Sequence, residues 1–473
     1  MRRTFVVLLL VCGAVLSAAQ TQPVSEVKQF VRVDSPVTVL EHVRVIDGTG
    51  AAAKPDQTIV ISAGKITAIG NSGSVQVPAG ANRMDFTGYS ALPGLVGMHD
   101  HLFYPAGGGF FHDMPFSFPR LYLAAGVTTI RTTGAMEPYL DLEIKRGIEE
   151  GKHAGPKINV SGPYLEGKGT FSEDLYQLSG PEDATRTVDY WVAEGVGSFK
   201  AYMFITRAEL KAAVEAAHRH HVKVTGHLCS IGFREAAALG IDDLEHGLTV
   251  DTEFFPGKQP DTCPNPNQAV IAANKLEINS EPIQATIHDL VSHHVAMTST
   301  LPVFEQLVSS RPDVPQRALE LLADETRKGY QTNRARVAQN KESPWPTMFQ
   351  KEMEFEHAFA KAGGLLLAGL DPTGIGGVIA GFGDWRELEL LVEAGFTPLE
   401  AIKIASFNGA QFLGEQDHIG SLATGKQADI VLVKGDPSAN ISDIENVELV
   451  FKDGVGYDSK KLIDSVKGVV GVR

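Results

Sequence analysis

At 473 residues, 43% hydrophobic and 21% charged, the chain is too long for one minimal core and has the composition of an ordinary globular protein, which favours a large barrel or two domains. Forty-eight glycines point to a loop-rich α/β fold rather than a helical bundle. A formal net charge of −15 argues against nucleic acid or an anionic membrane surface as the main partner.

The N-terminus reads as a targeting segment, residues 1–19. Arg2 and Arg3 precede an apolar run from Phe5 to Leu16, and Ser17-Ala18-Ala19 offers small residues for cleavage. The expected mature protein is secreted or periplasmic. Cys12 lies inside the apolar run rather than at the cleavage site, so no lipid anchor is expected. No other stretch reaches the roughly 20 apolar residues of a membrane span, so no stable membrane insertion is expected after cleavage. Cys229 and Cys263 then remain, and they could pair or stay free.

From 36 to 90 the chain has short strands with turn signals every 8–12 residues: "VTVLEHVRVIDGTG", "QTIVISAGKITAIG", "MDFTGYSALPG". The same texture returns over 420–458 in "ADIVLVKGD" and "VELVFKDGVGYD". The two segments are expected to form one composite β-sandwich, with residues 91–419 inserted between them. That middle alternates strand and helix, with eight candidate strands ending near His101, Gly134, Tyr164, Met203, His227, His246, Leu301 and Asp371. Capping boxes at Thr206–Glu209 and Thr397–Glu400, the latter with Pro398 at the first helical position, mark helix starts. Gly240 marks a helix end. The expected fold is α/β: a (β/α)8 TIM-like barrel, with reactive groups gathered at the C-terminal ends of its strands. An open doubly wound sheet is the alternative.

Alternation puts His99 and His101 on one side of the first strand and Asp100 on the other. His227 ends "VKVTGH", His246 ends "DDLEHG" and Asp371 ends "LLLAGLD". Imidazoles and a carboxylate converging on one rim suit zinc, manganese or iron. Lys200, in "SFKAYM", is electrostatically misplaced beside cations as an ammonium. As a neutral amine that captures CO2, it becomes a carbamate able to bridge two divalent ions. His218, His220 and His221, near a helix end, read as structural.

In order, "LPGLVGMHDH", "SFKAY", "VTGH", "LEHG" and "GLDP" resemble the amidohydrolase superfamily, more narrowly its binuclear branch of imidazolonepropionase-like and prolidase-like hydrolases. The resemblance spans nearly the whole mature chain, including "VRVIDGTG" and "GSLATGKQADIVLVKGDP" in the flanking sheet. It implies one metal on His99, His101 and Asp371, another on His227 and His246, and carboxylated Lys200 between them. The ions, Zn2+ foremost, would share a hydroxide that attacks the substrate carbonyl. Asp371 would take the proton and pass it to the leaving nitrogen. Tyr202 would donate to the developing oxyanion or simply line the pocket.

For substrate contacts, Arg131 either grips a carboxylate or holds a loop. Thr132 follows it, where relatives often carry an acidic residue. Lys168 is a second candidate cation. Its stretch "GPYLEGKGTF" nearly matches a phosphate loop, but Gly169 stands where Ser or Thr belongs. The segment 247–285 is expected to wall the pocket with Phe254 and Phe255, and the glycine-rich stretch after Asp371 to border it. The expected activity is hydrolysis of small amides: dipeptides, X-Pro substrates or N-acyl amino acids. A deaminase or a lactone/ester hydrolase on the same fold, and a catalytically dead binding scaffold, are the alternatives. A small-molecule amide or peptide is the expected partner, and association into a homo-oligomer is compatible with the sequence.

Overall fold

The computed structural model describes residues 26–107, 110–170 and 175–472. The targeting segment expected at 1–19 lies outside them. The middle of the chain contains two parallel sheets. Leu95–Asp100, Val127–Thr132 and Lys157–Asn159 form the first; Ser198–Ala201, Lys223–Gly226, Asp243–Glu245, Ala296–Ser299 and Leu366–Ala368 form the second. Most of these strands are buried along their whole length, as strands covered on both faces should be.

Strand order follows chain order, without the reversal that a doubly wound sheet requires. Parallel bridges Ser161–Ser198 and Leu165–Ala201 link the first sheet to the second. At the other end of the run, the Asp371 amide donates to the His99 carbonyl at 3.0 Å. Gly369 permits that approach, because a Cβ there would lie 2.3 Å from His99 Cβ. Observed strands stop between one and a few residues short of the predicted ends; the third ends at Asn159, and the chain runs on through the bridges to Tyr164.

The chain's outer segments share one nine-stranded sheet. Ile430–Lys434 pairs antiparallel with Tyr89–Pro93, placing Val431 opposite Leu92, and so joins the two distant stretches. Val43, Ile59, Ile66, Ile430 and Phe451 belong to its own apolar core. The sheet begins earlier than residue 36, with Val31–Val33, because that strand pairs with Val455–Asp458. Both capping boxes form, and Gly240 takes a positive φ of 91° after the helix Phe233–Ala238.

Behind the strand ends, carboxyl groups are buried together. Glu352 accepts from the Thr249 amide at 2.8 Å and Glu356 from the Ser299 hydroxyl at 2.9 Å. Burial raises Glu352 to about 8; burial, then the neighbouring Glu352, raises Glu356 well above the carboxylate range. The folded chain therefore keeps protons that the unfolded chain, with carboxyl values near 4.3, gives up. This contribution to stability is whole below about pH 4 and is lost as pH rises toward 8. Glu352→Gln, which mimics the protonated side chain, should match the wild type in melting temperature near about pH 5 and exceed it near about pH 9. Parallel melting curves at the two pH values would argue against the effect.

Candidate metal centre

His99 and His101 sit at the end of Leu95–Asp100 and are 0% and 1% exposed. Asp100, pointing the other way, feels the field of Asp384 in the helix Phe382–Glu393. His99 Nε2 stands 3.7 Å and His101 Nε2 3.5 Å from the Asp371 carboxylate, and His246 Nε2 stands 3.8 Å from it. Ligand atoms of His99, His246 and Asp371 all lie within 4.8 Å of one another. Lys200 Nζ lies 3.1 Å from His99 Nε2. The half-buried His227 ring is 4.6 Å from that of His246 and 5.1 Å from that of Tyr202. The structure thus brings together His99, His101, Lys200, Tyr202, His227, His246 and Asp371 from strands far apart in sequence.

These donors fit a metal. Two ligands 2.0–2.1 Å from a tetrahedral ion stand roughly 3.4 Å apart, close to the imidazole–carboxylate separations here and beyond most hydrogen bonds. Among the described residues, the buried Nε2 of His246 has no hydrogen-bond partner. Burial, then Lys200, lowers His99, and burial followed by His99 lowers His246, so the imidazoles stay neutral, as metal binding demands. His227 falls to about 3 for the first pair of causes. Burial raises Asp371 to about 6 against the pull of Lys200, and Thr373 donates to its Oδ1 at 2.7 Å. Burial also lowers the Lys200 amine, against Glu245 and Asp371. His246 and Asp371 adopt positive φ of 69° and 49°, a conformation costing about 1–3 kcal/mol that is held by the backbone bonds His246 N to Thr298 O and Asp371 N to His99 O.

Arg131, expected to grip a substrate carboxylate or hold a loop, lies buried beneath the cluster. Its guanidinium is 1% exposed, donating to Met98 O at 2.9 Å, Glu245 at 3.0 Å and Asp243 at 3.3 Å, so it underpins the cluster from below. Lys168 is exposed on a turn after the buried Glu166. His218 and His220 pair with Asp242 and Asp189, at 3.0 and 2.8 Å, a structural role served by carboxylates rather than by a helix end alone.

Aromatic rings flank the cluster on two sides. Phe103 stacks on His101 at 4.3 Å, in a cluster with Tyr164 and Leu175 against which Phe111, Met136 and Tyr202 pack. On the other side Phe304 lies 5.5 Å from His246 and stacks on Trp345. Phe254, from the 247–285 segment, packs against the main core, to which Phe304 also belongs. The glycine-rich stretch after Asp371 is tied down where Gly377 N donates to Tyr104 Oη at 3.0 Å and Asn333 to Ile375 O at 3.2 Å. Cys229 and Cys263 form a disulfide that links the segment after the fifth strand to the loop after the sixth. Glu245 and Thr300 escaped the sequence reading. The acid directly before a strand-end histidine was a signal for the first; nothing in "TST" distinguished the second.

Residues 369–456 match the amidohydrolase family. A Bifidobacterium longum protein assigned as a prolidase shares the fold at TM-score 0.64 and 25% identity, over 91% of this chain and 98% of that one. An Xaa-Pro dipeptidase solved with bound methionine has a TM-score of 0.66 at 21% identity, over 89% of this chain and 100% of that one. Bottromycin amidohydrolase gives 0.68 at 19%, over 93% and 91%. A comparison with curated protein sequences finds no match. Among the described residues, no helix is long and apolar enough to cross a membrane. The 369–456 segment thus matches the amidohydrolase family, and the mixed α/β fold of the chain is shared with structures described as a prolidase, an Xaa-Pro dipeptidase and an amidohydrolase.

Proposed function

We propose that this chain is an exported, binuclear metal-dependent amidohydrolase that cleaves small amides, foremost Xaa-Pro dipeptides and N-acyl amino acids. Residues 91–419 form a (β/α)8 barrel in this reading, set between the halves of a composite sandwich at 36–90 and 420–458. The carrying observation is the convergence of His99, His246 and Asp371 within 4.8 Å, with Lys200 3.1 Å from His99. Chain-order parallel strands support the barrel, and the prolidase and Xaa-Pro dipeptidase neighbours support the substrate class. The apolar run Phe5–Leu16 and the Cys229–Cys263 disulfide support export to an oxidising compartment.

His99, His101, His227, His246, Asp371 and Lys200 would hold two divalent ions, Zn2+ being the best match to imidazole and carboxylate donors. Bound, the ions lower the pKa of water and polarise a carbonyl. Burial disfavours the ammonium form of Lys200, which favours the free amine that carbamate formation needs. Asp371, raised to about 6, accepts a proton from the attacking water and returns it to the leaving nitrogen. Tyr202, beside His227, donates to the oxygen that gains charge, while Phe103 and Phe304 keep water from the flanks.

Metal analysis, combined with a panel of Xaa-Pro dipeptides, N-acyl amino acids, lactones and amino-substituted heterocycles, tests the assignment. We expect two divalent ions per chain, amide cleavage, and loss of activity with a chelator that added Zn2+ reverses. Turnover of lactones alone, ammonia release from heterocycles alone, or activity indifferent to chelation would overturn it.

A further inference from the structure

The cluster treats its imidazoles unequally on their far sides. His246 Nδ1 meets a neutral partner, the Thr300 hydroxyl, at 2.7 Å. His99 Nδ1 meets a carboxylate, Glu245, and both side chains are 0% exposed. Glu245 has no solvent to stabilise its charge; Arg131 does so instead, at 3.0 Å, while also bonding Met98 O one residue before His99. Asp243, 3.3 Å from the same guanidinium, is held in turn by the Thr298 hydroxyl at 2.8 Å. Three strands that are distant in sequence are thus locked around one histidine.

We propose that Glu245, clamped by Arg131, is a positioning residue that fixes the tautomer of His99 and strengthens it as a metal ligand. This rests on the metal-site reading above. A carboxylate oxygen only accepts, so the proton between Glu245 and the imidazole resides on Nδ1. That leaves the Nε2 lone pair free on the side of Asp371 and Lys200, where donors converge. An anionic acceptor makes the ring a stronger donor than a hydroxyl does, and losing such an outer partner typically costs 10–100-fold in metal affinity. Glu245 touches no reacting atom in this arrangement. It acts through His99, and the ion that His99 holds should be the tighter of the two.

The direct test is Zn2+ binding to the metal-free full-length protein by competition with a chromophoric chelator, for wild type, Glu245→Gln and Thr300→Val. Glutamine keeps the volume and the hydrogen bond to Arg131 but removes the charge. Glu245→Gln should weaken the tighter Zn2+ site roughly 10–100-fold, while Thr300→Val leaves that site within a few-fold of wild type. Wild-type affinity in Glu245→Gln would overturn the positioning role and leave the metal centre standing. A wild-type chain that binds no Zn2+ would instead remove the metal centre itself. Should Glu245→Gln not fold, nitrogen NMR of 15N-histidine-labelled, metal-free wild type decides: the ring signal missing from His99→Gln must show Nδ1 protonated. An Nε2-protonated ring there would refute the proposal.

Discussion

Replacing Lys200 with alanine should abolish metal loading and hydrolysis together, with activity falling by more than roughly 100-fold, beyond the 10–100-fold typical of losing an outer-shell partner. The expectation comes from position. Lys200 is 2% exposed, its Nζ lies 3.1 Å from His99 Nε2, and the rings of Tyr164 and Tyr202 stand 5.7 Å away. An ammonium at that point would repel any cation the imidazoles hold, and desolvation already disfavours the charged form. Acetate or propionate, small enough to occupy the space alanine leaves, should restore part of both metal content and activity. Lys200→Arg should not be rescued, because a guanidinium stays charged and cannot form a carbamate. Full activity in Lys200→Ala would eliminate the bridging role while leaving the imidazole cluster in place.

Asp371→Asn should lower kcat by roughly 10²–10⁴-fold, the range for losing a positioned proton carrier. The carboxylate stands 3.5–3.8 Å from His101, His99 and His246, at the meeting point of the cluster, and burial raises it to about 6. Asparagine preserves the size, and its carbonyl can still accept from Thr373, so the backbone at φ 49° need not move. Metal content should fall as well, since a neutral oxygen is the weaker ligand. Measuring kcat, KM and bound metal on one preparation separates the roles. Unchanged metal with a collapsed kcat isolates proton transfer; unchanged kcat would remove Asp371 from the chemistry.

Much of the candidate site was legible because the signals are local. Alternation over three residues puts His99 and His101 on one side, His227 and His246 directly follow the strands Lys223–Gly226 and Asp243–Glu245, and Asp371 comes shortly after Leu366–Ala368. The capping boxes at Thr206 and Thr397 likewise need only four consecutive residues. What stayed hidden depends on which strands become neighbours. Arg131 read as a substrate or loop contact until the structure set it against Asp243 and Glu245, more than a hundred positions away. The same holds for the Glu245–His99 bond, the Phe304–Trp345 stack beside His246, and the choice of Cys229 to pair with Cys263.

The amino-acid order by itself determined the kinds of donor this protein carries and the strand ends that present them, since short-range backbone geometry sets those. Only the tertiary structure decided how the donors are spaced, what holds each from behind and which aromatic rings enclose them. Those features arise from contacts across a wide sequence separation, made where buried charges must find partners that no local pattern names.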